Sequence, residues 1–271
     1  MSFVTFDRDK LDKLLNLLGN ADGDLCFMLP FFESPLGAGT DVQDISARGL
    51  HAVNVVAVAA EPAIRGDLLS LRLNGTTEYL TIADNILLTP IAGGVDAPFS
   101  AGCAFKLDAV NAAVKSLIAK WDLTTVNAEW QLCLTAAELP ALYVMDDSVA
   151  ASNKGRVDST AADVTTWYVL IATYDGQGGP TPEAGMRLYR WDGATRNWDG
   201  RVDDADDIAA GVYVDMENVA QLDLFIGADF TGAAAGRWFG GEIMMPFYTR
   251  RELTEEQARL VALQMVSLME L

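Results

Sequence analysis

The chain has 271 residues with 38 acidic against 19 basic side chains, a formal net charge of −19, and no basic stripe that could neutralise phosphates, which argues against a nucleic-acid partner. Apolar residues make up 51% and charged residues 21%, so a sizeable core can form, and one β-sandwich domain with appendages fits the length. No run approaches the roughly 18 apolar residues of a membrane span, and the opening MSFVTFDRDKLDKLL lacks the parts of a secretory signal, so the expectation is cytoplasmic synthesis without export by the general route.

Residues 7–18 place Leu11, Leu14, Leu15 and Leu18 at helical spacing, with Asp7 or Asp9 able to cap the start and Gly19 to close the end. Two readings of this amphipathic arm stay open: docking on the protein's own core, or docking on a neighbouring subunit. After a turn at residues 20–24 the pattern changes to short runs of period two. Phe99, Ala101, Cys103, Phe105 and Leu107 alternate with small or polar residues, predicting a strand with one face on a core. Leu69, Leu71 and Leu73 repeat the pattern, as do Trp130, Leu132 and Leu134, and Leu222, Leu224 and Ile226. The segment TWYVLIATYD is apolar on both faces, as a central strand requires. Turn dipeptides Asn74-Gly75, Asp175-Gly176, Asp192-Gly193 and Asp199-Gly200 punctuate the runs.

About a dozen strands without an intervening long helix predict an all-β, antiparallel double-sheet jelly roll with a short helix at each end. At the C-terminal end, Thr254 and Gln257 form a capping box for a helix carrying Leu260, Val261, Leu263, Met265, Leu268 and Met269 around much of its circumference. Either the sandwich or another subunit must cover so wide an apolar surface. The expected division is an N-terminal arm (1–20), a jelly roll (21–252) and a C-terminal helix (253–271). Cys26, Cys103 and Cys133 have no CxxC spacing and read as core thiols.

Six segments in a fixed order resemble a known family. The opening D-x-S-x-x-G-x-H element stands as Asp44, Ser46, Gly49 and His51, followed by the strand pair SLRLNGTTEYLTIAD and the strand PFSAGCAFKLD. WYVLIATYDG follows, carried by Trp167, Tyr174, Asp175 and Gly176, then MRLYRWDG, then FIGAD, RWFGGEI and REL ahead of a helix. The order is similar to that of the laminin-G-like, pentraxin-like branch of the concanavalin A-like superfamily over residues 41–260, with Leu73, Cys103 and Phe105 departing from its usual aromatic positions. The resemblance implies a jelly roll that binds rather than catalyses, and in some relatives a calcium ion at the sandwich edge.

Catalytic constellations are missing. No ExDxxE string is present; Asp215 and Glu217 in YVDMEN lack a third partner and read as surface or loop residues. His51 is the sole histidine and reads as a hydrogen-bonded turn residue, and there is neither a phosphate loop nor a nucleophile elbow. If calcium is bound, the acidic run RVDDADD with Asp203, Asp204, Asp206 and Asp207 is the expected place, with Asp146 and Asp147 a second pair. For a sugar the expected platform is the loop WDGATRNWDG, with Trp191, Arg196, Asn197, Trp198 and Asp199.

Two functions are therefore expected. The first is a non-enzymatic bacteriophage virion protein (capsid decoration, head fibre or tail component) on the virion surface. Its helices, through Leu11, Leu14, Leu15, Leu18, Leu260, Leu263, Met265 and Leu268, would dock on capsid or tail proteins or on further copies, a trimer by analogy. The alternative is a lectin-like carbohydrate-binding module, with or without calcium, that attaches to glycans.

Overall fold

The computed structural model describes residues 8–31, 41–55, 61–65, 68–123, 127–148, 152–208, 211–232 and 234–270, with 61–65, 68, 69, 204, 205, 207 and 208 by backbone alone. Helix α1 (Arg8–Leu17) leads into β1 (Leu25–Met28), β2 (Asp41–Val42), β3 (Ala52–Asn54), β4 (Glu61–Arg65), β5 (Leu68–Asn74) and β6 (Leu80–Ile82). A small hairpin, β7 (Ile91–Ala92) and β8 (Val95–Asp96), precedes β9 (Phe99–Leu107), β10 (Lys115–Trp121), β11 (Ala128–Leu134), β12 (Pro140–Val144), β13 (Lys154–Asp158) and β14 (Tyr168–Tyr174). Then come β15 (Met186–Asp192), β16 (Asn197–Arg201), β17 (Asp203–Ile208), β18 (Leu224–Ile226), the hairpin β19 (Asp229–Phe230) and β20 (Ala235–Gly236), β21 (Gly240–Thr249) and α2 (Glu255–Met269).

Among the described residues these strands form two large antiparallel sheets. The first runs β16-β15-β14-β9-β21-β5-β4, with β1 also on β21; the second runs β17-β13-β12-β11-β10-β18-β6-β3-β2. The expected all-β sandwich with two terminal helices is the fold observed. Strand β21 changes partner midway: Gly240–Ile243 pairs with β5, and Phe247–Thr249 with β1. The change falls at a bulge between Met244 and Phe247, where Met245 adopts φ 46 and Pro246 sits without needing a ladder donor.

Between the sheets lies the main core. Its centre is a group of buried rings, Phe99, Trp130, Tyr174 and Tyr248, with Trp130 stacked on Tyr248 at 5.0 Å. The indole N–H of Trp130 donates to the Leu88 carbonyl at 3.0 Å and ties down the loop above it. A second core fills the space between the outer face of the first sheet and both helices. Leu11, Leu14 and Leu18 from α1 and its end, and Val261, Met265 and Leu268 from α2, pack with Val169, Ile171 and Trp191.

The apolar positions expected to dock on partners are covered by the chain itself: Leu14, Leu18, Met265 and Leu268 are fully buried, Leu11 nearly so, and Leu15 is half-buried. Leu260 and Leu263 alone of that set stay exposed. Asp7 lies outside the described residues, while Gly19 closes α1 at φ 82 with the Asn20 N–H on the Leu15 carbonyl at 3.0 Å. The Thr254–Gln257 capping box is present.

Strand β9 also departs from expectation. Its odd-numbered residues enter the inter-sheet core as predicted, but its even-numbered residues Ser100, Gly102 and Ala104 are buried too. Small side chains there mimic a solvent face in sequence, whereas in the fold they leave room for the second core. Ser100 Oγ donates to the Arg251 carbonyl at 2.8 Å and accepts from the Leu253 N–H at 3.0 Å, so it fixes the approach of α2.

The D-x-S-x-x-G-x-H element is a staple. Asp44 Oδ1 accepts the N–H groups of Met28 and Ser46 at 2.9 and 2.8 Å, and its Oδ2 accepts the Leu50 N–H and the Ser46 hydroxyl at 2.7 and 2.6 Å. Gly49 turns at φ 64, and His51 Nδ1 accepts the Asp44 N–H at 3.0 Å. One buried carboxylate thus binds the loop to β1, and the histidine is occupied in holding that turn.

Because Leu14 is fully buried in the second core, Leu14→Ala should lower stability by about 2–5 kcal/mol. Urea unfolding read by circular dichroism checks this; an unchanged midpoint would mean that the arm is not packed on the sandwich.

Candidate functional site

Both faces of the first sheet are covered, by the second sheet on one side and by the helices on the other. The second sheet has its inner face on the main core, through Trp130, Leu132 and Leu134 of β11 and Leu142 and Val144 of β12. Period-two geometry turns the alternate residues Gln131, Cys133, Ala141 and Tyr143 to the opposite face. Cross-strand register sets Phe225, Ala119, Gln131, Tyr143 and Gly155 in one row over five adjacent strands.

A cavity of about 280 Å³ opens on this face, lined by Trp121, Gln131, Cys133, Tyr143, Asn153 and Arg237, with Val114 and Thr135 at its margin. Small residues pack around its rings: Ala119 and Ala128 pack with Trp121, and Cys133, which lines the cavity, packs with Ala141 and Val157 beside Tyr143. Gly155 is required beneath the Tyr143 ring, since a Cβ there would strike the ring carbons. Trp121 and Tyr143 form walls, ring centroids 6.4 Å apart and inclined at 62°. The result is a concave apolar surface with amide and guanidinium groups at its side.

The polar groups are held from behind. Gln131 Nε2 donates to the Ser116 hydroxyl and to Asp229 Oδ2 at 3.2 Å, while its Oε1 accepts from Arg237 Nη1 at 3.1 Å. Arg237 Nε lies 3.4 Å from Asp229 Oδ2, and the Arg237 backbone is left-handed at φ 43, a conformation costly for a non-glycine residue. Its carbonyl accepts the Ser116 N–H at 2.9 Å, which holds it there. Asp229 is fully buried, and its Oδ1 has no hydrogen-bond partner among the described residues. Burial pushes this carboxyl up to about 6, against the opposing effects of Arg237, Ser116 and Gln131 and with a smaller push from Asp122.

The residues expected from sequence lie elsewhere. Trp191 is 3% exposed beneath the helices, and Trp198 is half-buried with its ring stacked on Tyr189 at 6.0 Å and 16°. Asp199 Oδ2 accepts from Arg190 Nε at 2.9 Å, leaving Arg196 and Asn197 exposed at the hairpin tip. Both tryptophans stand on the helix-covered sheet.

The acidic run is edge strand β17, not a loop. Burial would raise Asp203, but hydrogen bonds from Arg201, the Leu188 N–H and Arg156 outweigh it and hold the carboxyl below its ordinary range. Asp206 is exposed and pairs with Arg156, while the side chains of Asp204 and Asp207 lie outside the described residues. Asp203 is engaged by two arginines. Among the described residues no group of three or more His, Cys, Asp or Glu is placed to hold a metal. Asp147 of the second acidic pair is raised to about 6 by burial, by a hydrogen bond with Glu217 and by Asp146.

Trp121, Tyr143, Asn153 and Arg237 were not singled out by sequence. The signal for three cavity residues was phase: Gln131 and Cys133 fall between the core positions of β11, and Tyr143 falls between Leu142 and Val144 of β12. Arg237 comes from a loop with no periodicity to place it.

Since Asp229 in the fold titrates near 6 rather than 3.8, it favours folding below pH 4 and loses that contribution as pH rises from about 4 to about 6. Over that range wild-type stability should fall more steeply than that of Asp229→Asn; parallel curves in urea titrations at stepped pH would contradict this.

No protein-family model and no curated protein sequence matches the chain. Solved structures do match in shape. Domain 4 of AbnA, a GH43 extracellular arabinanase from Geobacillus stearothermophilus, solved with arabinotriose, superposes with TM-score 0.55 at 11% identity over 88% of this chain and 98% of that one. The ligand-binding domain of botulinum neurotoxin serotype D, solved with N-acetylneuraminic acid, gives TM-score 0.52 at 13% identity over 92% of this chain and 53% of that one. The binding domain of Paraclostridial Mosquitocidal Protein 1 gives 0.52 at 12% over 88% and 52%. The chain thus spans about half the length of the two toxin domains, and at these identities the likeness establishes the β-sandwich fold.

Proposed function

We propose that the protein is a non-enzymatic carbohydrate-binding module that holds its ligand in the cavity on the outer face of the second sheet. The observation that carries this reading is the juxtaposition of Trp121 and Tyr143 with the Gln131, Asn153 and Arg237 polar groups around one cavity. A sugar ring has one apolar face and a hydroxyl rim, and this arrangement offers a partner for each. Support comes also from the matched domains, two of which were solved with saccharides bound. Asp229 and Gln131 hold Arg237 in place before any ligand arrives, so little ordering cost falls on binding.

The virion reading drew on a missing export signal, missing catalytic motifs and helices in need of partners. Most apolar positions of those helices are buried against the chain's own sandwich, with Leu260 and Leu263 exposed. Capsid partners, a trimer and a place on a virion surface have no observation in their favour.

A glycan array probed with the purified protein tests the proposal. Wild type should bind at least one saccharide class, Trp121→Ala and Tyr143→Ala should each weaken that binding at least tenfold, about 1.4 kcal/mol, and Trp198→Ala should leave it unchanged. Absence of binding by wild type, or equal binding by the Trp121 variant, would overturn it.

A further inference from the structure

A second cavity, of about 310 Å³, is lined by Asp122, Gln221, Asp223, Phe225 and Phe230. The two are lined by neighbouring parts of the chain: Trp121 lines the first and Asp122 the second, and Arg237 lines the first and Phe230 the second. Phe230 is fixed to the sheet by the Leu123 N–H on its carbonyl at 3.0 Å and by a bridge to Asp122. From Phe230 a run of rings extends further over the same face: Phe230 stacks on Phe225 at 6.0 Å and 28°, Phe225 on Tyr79 at 5.7 Å and 22°, and Tyr79 meets Trp238 at 5.4 Å. Phe225 is buried, whereas Phe230, Tyr79 and Trp238 keep part of their surface in solvent.

Resting on the carbohydrate-binding reading, we infer that the ligand is an uncharged oligosaccharide long enough to occupy both cavities, with Phe230 as the stacking residue of the second. Size is the first argument. Small-molecule sites range over about 300–1,000 Å³, so each cavity alone, at 280 and 310 Å³, is at the floor of that range, whereas together they suit a chain of linked rings. Charge is the second. Arg237 is balanced by buried Asp229, and Asp122 and Asp223 add two carboxylates at the second cavity within a chain of net charge −19. An acidic sugar would meet repulsion there, whereas hydroxyl groups meet acceptors.

The test uses a glycan array printed with mono- to hexasaccharides of glucose, galactose, mannose, xylose and arabinose, together with glycans capped by N-acetylneuraminic acid. Wild type should bind an uncharged series with affinity rising at least tenfold from monosaccharide to trisaccharide. Phe230→Leu, which keeps apolar volume but removes the ring, should cancel that rise and leave monosaccharide binding within twofold. Equal affinity at all lengths, or preference for the acid-capped glycans, overturns this inference while leaving the Trp121 cavity intact as a sugar site. Absence of binding to every printed glycan overturns both readings. Should Phe230→Leu lose its cooperative thermal melt, the length dependence of wild type decides alone.

Discussion

The first sheet is buried on both faces, and much else follows from that. A strand such as β14 places Tyr168, Leu170, Ala172 and Tyr174 toward one core and Val169 and Ile171 toward another, so neither phase can carry an exposed polar row. The two helices are needed to cover the second face, since leaving Val169, Ile171, Trp191, Met244 and Phe247 in water would cost about 1.5–3 kcal/mol for each side chain. Once they are in place, the central strands of this sheet lie between two cores, while edge strand β16 and Arg72 and Asn74 of β5 meet solvent.

On the other sheet the outer face mixes small residues with large rings. Ala119, Cys133, Ala141 and Gly155 share that face with Trp121 and Tyr143, and a Cβ at Gly155 would strike the Tyr143 ring. The polar side of the cavity needs a buried carboxylate, which is unfavourable in itself; Asp229 is retained because it orients a guanidinium and an amide at once. Its unpartnered oxygen and raised proton affinity record the cost of that arrangement.

Much of the fold was legible. The doubly apolar β14, the capping box and the turn glycines Gly75 and Gly176 at positive φ reflect local rules that tertiary structure did not override, whereas the expected turn Asp199-Gly200 lies within β16. The Asp44 staple shows why a short motif can carry a fold: one carboxylate receives four hydrogen bonds, and each surrounding residue type is needed to deliver them. The site was less legible for two reasons. Tryptophans attract suspicion wherever they occur beside turns, yet Trp191 serves the helix-covered sheet. The cavity, in contrast, is assembled from β10, β11, β12, the approach to β13 and a loop more than eighty positions later, so its members meet only through strand register and the loop's hydrogen bonds to Gln131 and Ser116. Acidic residues misled in a similar way: Asp203 reads as a free ligand until Arg156 and Arg201 close on it.

The partner switch in β21 has an architectural outcome. By pairing its second half with β1 it draws the start of the described chain to the strand that leads into α2, and the two helices then lie side by side, with Lys10 Nζ donating to the Ser267 carbonyl at 3.3 Å. Both helices therefore lie on the face opposite the cavity, separated from it by two sheets and the core between them. A label on an exposed helix residue such as Asp12 or Leu263 would sit on the far side of the sandwich from the cavity.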